Sequence, residues 1–102
     1  MSWFIKRERF KSSTNNLPYE KRKYYINKHK KWVKSLINSG IKVSSGYLVD
    51  NKNQPGGGGI LILKADSFEM AEDLIKQDPI ILAELVDWTI QEWIPVSGNL
   101  LS

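Results

Sequence analysis

Cysteine is absent from the sequence, and histidine occurs only once among the 102 residues. Without cysteine, the chain has no disulfide scaffold, no thiolate metal site and no cysteine nucleophile. No segment approaches the roughly 20 consecutive apolar residues of a membrane-spanning helix, and residues 1–10 are too short and too basic for a signal peptide. We therefore expect residues 1–102 to form one globular domain in the cytoplasm, without a metal ion, a cofactor or a membrane partner.

Acidic residues are scarce in the first part of the chain. Residues 1–42 contain twelve lysines or arginines and two acids, for a net charge of +10, whereas residues 43–102 contain three lysines and nine acids, for a net charge of −6. Such asymmetry indicates either a surface for nucleic acid or a basic element that packs beside an acidic one. Because the strands carry no aromatic motif of an RNA-reading domain, nucleic acid is the less favoured partner.

The pattern of apolar residues predicts the element order βαββαβ. Segments rich in β-branched and aromatic residues predict strands at 2–10, 41–50, 60–63 and 85–94. Apolar residues spaced three and four apart predict a helix that has Pro18 in its first turn and ends by Gly40, and a second helix that Asp66 caps and that ends near Gln77. This order is typical of a ferredoxin-like α+β sandwich, in which one four-stranded antiparallel sheet has both helices on one face.

Both faces of the predicted sheet carry apolar residues. Residues 60–63 are apolar without interruption, and the last strand places Trp88 and Trp93 on opposite sides. The face without helices would therefore be a large exposed apolar patch. We expect a homodimer that packs sheet on sheet with two-fold symmetry, with Trp88 as a candidate contact.

The segment from Pro55 to Gly59 contains four consecutive glycines. It lacks the Gly-Lys-Ser/Thr sequence of a phosphate-binding loop and leads into a strand, not a helix. We therefore expect a flexible loop that joins the second and third strands.

His29 and Asp78 are the residues most suited to carry chemistry. For a lone histidine on the apolar face of a helix, a structural hydrogen bond to the backbone is the simpler interpretation. Asp78 precedes Pro79 at the predicted end of the second helix, where the helix dipole disfavours an anion, so its carboxylate needs a donor. Antiparallel helices would bring that end beside the first helix, and the topology therefore allows His29 and Asp78 to meet.

Several short motifs resemble, in their order and spacing, the YciI-like (YCII-related) proteins of the dimeric α/β-barrel superfamily. They are His29, Ser39-Gly40, Ser45-Gly46, Ala65 to Ala71 and Gln77-Asp78-Pro79. The resemblance spans nearly the whole chain and implies a ferredoxin-like protomer, dimerisation through the sheets and a pocket centred on a histidine–aspartate pair. By position the pair is His29 and Asp78, and we place Tyr25, Ser45 and Gly46 in the substrate pocket.

The mechanism expected of this pair is proton transfer. Asp78 would accept a hydrogen bond from one ring nitrogen of His29, and the other nitrogen would act as general base or acid. Without cysteine or an evident serine triad, isomerase- or lyase-type chemistry on an unknown small molecule is favoured over acyl transfer. Many family members carry arginine three residues before the histidine, where this chain has Ile26. The alternative is a non-catalytic module that binds a ligand or nucleic acid through the basic first helix.

Overall fold

The computed structural model describes the backbone of residues 1–100 and the side chains of that range except those at positions 15, 55 and 56. The strands are β1 (Ser2–Phe10), β2 (Val43–Val49), β3 (Pro55–Ala65) and β4 (Val86–Trp93). The helices are α1 (Tyr19–Asn38), α2 (Phe68–Ile75) and α3 (Pro79–Leu82), and a 3-10 turn covers Ser12–Asn16. The predicted βαββαβ order is confirmed, with the short α3 inserted before the last strand.

The four strands form one antiparallel sheet in the order β2-β3-β1-β4. Alternate residues of the central strands, such as Phe4 of β1 and Leu63 of β3, point to the same side and are fully buried. Ala71 and Ile75 of α2 complete this core cluster, and Trp32 of α1 packs against it. Both long helices therefore cover one face of the sheet, as expected of a ferredoxin-like α+β sandwich.

The helix ends follow local capping chemistry. Ser67, not the expected Asp66, caps α2, because the Ser67 hydroxyl accepts a hydrogen bond from the Met70 amide at 3.1 Å. The α1 helix begins after Pro18 and is followed by Gly40, whose φ of 89° suits glycine at the end of a helix. None of the helices in residues 1–100 is long and apolar enough to cross a membrane.

The sheet face opposite the helices, called here the open face, has an apolar centre. The residues that form it are all half-buried: Trp3, Ile5, Ile60, Ile62 and Trp93. Trp88 does not belong to it. The register pairs Trp88 with Glu8 on the helix-covered side, where the indole packs against the core. The proposed role of Trp88 at a sheet–sheet interface is therefore wrong, and Trp93 lies on that face instead.

The segment from Pro55 to Gly59 is part of β3 and not a flexible loop. Neighbouring backbones approach it so closely that a Cβ atom on Gly58 would lie 2.8 Å from the carbonyl oxygen of Glu8. A Cβ atom on Gly59 would lie 2.8 Å from the carbonyl oxygen of Gly46. The glycines therefore permit close strand pairing, and their lack of side chains leaves open space between this part of the sheet and α1.

Candidate active site

His29 projects from α1 into the space between that helix and the sheet. Its Nδ1 atom lies 2.9 Å from Asp78 Oδ1, and its Nε2 atom lies 2.8 Å from Ser45 Oγ. Asp78 is completely buried, and His29 is 8% exposed. The contact expected between His29 and Asp78 is thus present, and Ser45 adds a hydroxyl on the other side of the ring. The catalytic roles of these residues stay predictions.

The sequence suggested that Asp78 ends the second helix, but the structure places it elsewhere. The α2 helix ends at Ile75, and Asp78 is the N-cap of α3, where its Oδ1 atom accepts a hydrogen bond from the Ile80 amide at 3.0 Å. Pro79 occupies the first position of α3, where its missing N–H costs nothing. An aspartate is favoured at such a cap, so the local fold holds the carboxylate in a defined orientation.

Sequence reasoning did not identify Lys6 as a site residue. It is fully buried, and its Nζ atom lies 3.0 Å from Asp78 Oδ2 and 2.6 Å from Glu8 Oε1. A buried ammonium needs such partners, because transfer of an unpaired charge from water is very unfavourable. A signal was available: Phe4 and Phe10 lie on the same side of β1 as Lys6 and Glu8, so this charged pair stands in the middle of an inward face.

The pKa of Asp78 lies below its ordinary value. Burial by itself raises this pKa, but the hydrogen bond from His29 and the positive charge of Lys6 together outweigh it. An ionised Asp78 can only accept hydrogen bonds, so His29 donates its Nδ1 proton to it. In the neutral ring, Nε2 is then the acceptor, and the Ser45 hydroxyl donates to it.

His29 lines a cavity of about 560 Å³. Its walls include the apolar side chains of Ile26, Val33 and Ile80, and Ser45 and Gly46 also line it. This combination of apolar walls and a few polar groups is typical of sites for small molecules. The cavity is referred to below as the His29 cavity.

Tyr25 is not among the residues that line the His29 cavity, and its placement in the substrate pocket stays a prediction that this cavity does not support. It packs instead against a buried cluster that includes Leu85. Consecutive residues of an α-helix are rotated by about 100°, so Tyr25 and Ile26 lie on opposite sides of the line through His29. Ile26 is the one that faces the cavity.

A comparison with protein-family models relates the sequence to known proteins. The model of the YCII-related domain matches residues 5–94. The chain belongs to the YCII-related domain family. The resemblance carried by the short sequence motifs is therefore confirmed. No protein with a curated description matches the chain.

Three solved structures resemble this YCII-related domain in fold. The 5-chloro-2-hydroxyhydroquinone dehydrochlorinase (TftG) from Burkholderia phenoliruptrix AC1100, in complex with 2,5-dihydroxybenzoquinone, is 20% identical with a TM-score of 0.65, over 92% of this chain and 94% of that chain. At3g17210 from Arabidopsis thaliana is 21% identical with a TM-score of 0.54, over 98% and 100%. The de novo designed protein Ferredog-Diesel is 10% identical with a TM-score of 0.57, over 89% and 84%. At these identities the likeness supports the fold alone.

The site of this YCII-related domain offers proton-transferring groups. The Asp78 and Glu8 carboxylates are both engaged by Lys6, and the His29 ring is held at both nitrogens. Within the described part of the chain, no three histidine, cysteine, aspartate or glutamate side chains are grouped so that they could hold a metal ion. What the arrangement can do is orient one imidazole against a small cavity.

Proposed function

We propose that this YCII-related domain binds a small molecule in the His29 cavity and transfers a proton at His29 Nε2, in a reaction of the isomerase or lyase type. The observation that carries the proposal is the oriented imidazole. Asp78 Oδ1 lies 2.9 Å from His29 Nδ1 and accepts its hydrogen bond, so the Nε2 lone pair points towards Ser45 and the cavity.

The chemistry starts from the neutral ring. A bound ligand displaces the hydrogen bond from Ser45, and Nε2 takes a proton from a carbon or hydroxyl group of the ligand. Asp78 stabilises the imidazolium ion that forms. In an isomerisation the proton returns to a different atom of the ligand, whereas in an elimination the leaving group departs with the bonding electrons and the proton passes to water.

The fold relative from Burkholderia favours elimination over isomerisation, because its name describes a dehydrochlorinase. That structure is a complex with a small ring compound, 2,5-dihydroxybenzoquinone. A cavity of about 560 Å³ with walls such as Ile26 and Val33 suits a ligand of that size. We therefore propose small ring compounds as the first substrates to test.

Lys6 acts in this proposal as a positioning residue. Its ammonium binds Asp78 Oδ2, which leaves Oδ1 for the His29 ring and the Ile80 amide. The buried cation also opposes protonation of the Asp78 carboxyl, whose pKa is lowered. The two effects keep the imidazole in one tautomer.

The test is turnover of small halogenated or hydroxylated aromatic compounds, quinones and lactones, followed by NMR in D₂O so that proton exchange and elimination are both visible. His29→Gln should lower turnover by roughly 10²-fold or more, as expected when a general acid–base group is removed. Ser45→Ala should have a smaller effect. Ser44→Ala is the matched control, because Ser44 neighbours Ser45 but lies on the open face.

The nitrogen shifts of His29 provide a second measurement. At a pH where the ring is neutral, the wild type should show the tautomer protonated at Nδ1, and Asp78→Asn should mix the two tautomers. Undiminished turnover in His29→Gln contradicts the proposal. Binding of these compounds without any turnover would favour the alternative, a non-catalytic ligand-binding module.

We further propose that the domain works in the cytoplasm as a homodimer. The support for the dimer is the open face, where Trp3, Ile62 and Trp93 form part of a contiguous apolar surface on a sheet that has helices on its other side only. A second copy of the chain would cover this surface through the same residues.

A further inference from the structure

A second cavity of about 520 Å³ adjoins the His29 cavity along α1. The two have common walls, which include Ile26 and Ile80, and Lys30 borders both. The space beside His29 therefore continues towards the beginning of α1, where Arg22 and Lys23 line it.

The charged side chains that line the second cavity all have the same sign. They are Arg22, Lys23 and Lys30, and no acidic residue is among the lining residues. In the part of the chain that the structure describes, none of these three cations forms an ion pair. The second cavity thus carries positive charge that the described protein does not neutralise.

Arg22 is the most unusual of the three. Its Nε atom is buried from solvent and has no hydrogen-bond partner among the described residues. A buried donor without an acceptor is rare, because the group has lost its water and gained nothing in return. Arg22 also lines the second cavity, so a ligand in that cavity can offer acceptors to the guanidinium.

Apart from Thr14 and Asn27, the remaining side chains that line the second cavity are apolar or aromatic. Phe10, Ile80 and Leu85 lie at the side of the sheet and α3, and Tyr19 stands at the start of α1. Apolar walls with cations beside them match a molecule that has an apolar body and an anionic end. Inorganic anions lack the body, and neutral ring compounds lack the charge.

The spacing along α1 indicates the length of such a molecule. Arg22 precedes His29 by seven residues, which is about 10 Å along a helix and nearly two full turns, so both side chains leave the same side of α1. Ile26 lies between them and faces both cavities. One ligand can therefore contact His29 and Arg22 at its two ends and Ile26 with its middle.

We propose that the ligand of this site is an organic acid whose apolar body lies over Ile26 and Ile80 and whose carboxylate binds Arg22. The two carboxylate oxygens accept hydrogen bonds from two nitrogens of the guanidinium, because paired hydrogen bonds are the favoured geometry between arginine and a carboxylate. Lys23 and Lys30 add positive charge beside it. The end of the ligand opposite the carboxylate reaches His29. That placement of the reacting end rests on the proposed function, whereas the carboxylate subsite does not.

The test uses 4-phenylbutyrate and its neutral analogue 4-phenylbutanamide as probes, with binding to the full chain measured by calorimetry. The wild type should bind the acid about tenfold or more tightly than the amide. Arg22→Gln should remove this preference, because it weakens binding of the acid and leaves binding of the amide unchanged. Arg7→Gln is the matched control, because Arg7 is an exposed arginine that bonds Gln91 outside the cavities, and it should keep the preference.

Two further variants separate this inference from the proposed function. His29→Gln should retain the preference for the acid even though it abolishes turnover, so a failure of the catalytic proposal would leave the carboxylate subsite intact. Arg22→Lys should restore only part of the preference, since lysine supplies the charge without the paired donors; it also serves as the test if Arg22→Gln does not fold. Equal affinity for acid and amide, unchanged affinity in Arg22→Gln, or no binding of the acid at about 10 mM overturns the inference.

Discussion

The Lys6 ammonium lies between the carboxylates of Asp78 and Glu8, with no exposed surface of its own. A buried ion pair contributes little net stability, because desolvation offsets the attraction between the charges. Its effect is on orientation: each oxygen of Asp78 has its own donors, Lys6 at Oδ2 and both His29 and the Ile80 amide at Oδ1. A carboxylate held at both oxygens can in turn hold an imidazole in one tautomer.

The lowered pKa of Asp78 predicts a dependence of stability on pH. The folded protein binds a proton at Asp78 less readily than the unfolded chain does. At pH values above the ordinary aspartate pKa of 3.8, the ionised carboxylate therefore stabilises the fold. This contribution is lost as the pH falls through the lower pKa that Asp78 has in the folded state. The free energy of unfolding should therefore decrease less steeply with falling pH in Asp78→Asn than in the wild type. Urea unfolding at several pH values below about 5 measures this.

Asp87→Asn is the control for that comparison, because Asp87 is an exposed aspartate of β4. It should keep the pH dependence of the wild type. Parallel curves for the wild type and Asp78→Asn would contradict the assigned effect of Lys6 and His29 on Asp78.

At the scale of elements, two short segments shape the site. The four-residue helix α3 exists because Pro79 can start a helix and Asp78 can cap it, and this cap holds the carboxylate. The glycine-rich beginning of β3 removes side chains from the region where Gly58 and Gly59 border the His29 cavity. Neither segment is catalytic by itself, but together they create the carboxylate position and the open volume beside the ring.

The close approach at Gly58 predicts an asymmetry between glycine substitutions. Gly58→Ala should reduce the free energy of unfolding by about 2 kcal/mol, because its Cβ would meet a backbone oxygen of β1 that can move only with the strand. Gly46→Ala is the matched control within the sheet, since nothing lies within 4 Å of its Cβ position. It should be neutral or slightly stabilising. Chemical denaturation measures both, and equal losses would show that close pairing at Gly58 is not what selects glycine.

At the scale of the whole molecule, the charge asymmetry is partly explained by the cavities. Among the basic residues of α1, Arg22, Lys23 and Lys30 line the second cavity. The acidic α2 does not neutralise them in ion pairs; its Glu72 instead pairs with Lys76, 3.5 Å away, just beyond the end of α2. The basic helix α1 thus lines both the second cavity and the adjoining His29 cavity, and its positive charge is consistent with an anionic ligand.

The open face predicts the behaviour of the protein in solution. Wild-type protein should sediment as a dimer at about 10 μM, because burial of the apolar centre of the open face favours association. Ile62→Lys should shift it to the monomer, since it places a charge beside Ile5 in the middle of that face. Ile37→Lys, on an exposed position of α1, is the control and should leave the dimer intact. A monomeric wild type would contradict the proposed homodimer.

The sequence by itself determined the order of elements and the inner face of α1, and it singled out His29 and Asp78 as candidate site residues. These follow from local rules: alternation in strands, spacing of three and four in helices, and the preference of proline and glycine for the ends of elements. The same rules could not decide which face of the sheet carries Trp88. Alternation separates the two faces of a strand, but it does not tell which of them the helices cover.

Only the tertiary structure decided which groups surround the His29 ring. Lys6 lies 72 positions before Asp78 in the chain, and Ser45 lies 16 positions after His29. Contacts at such separations depend on strand register and helix placement, which no local pattern contains. Consecutive helical residues are rotated by about 100°, and the packing of α1 on the sheet turns Ile26 towards the His29 cavity and Tyr25 away from it. The close pairing of β1, β2 and β3, likewise, is what turned an expected glycine loop into a strand and opened the cavity beside the imidazole.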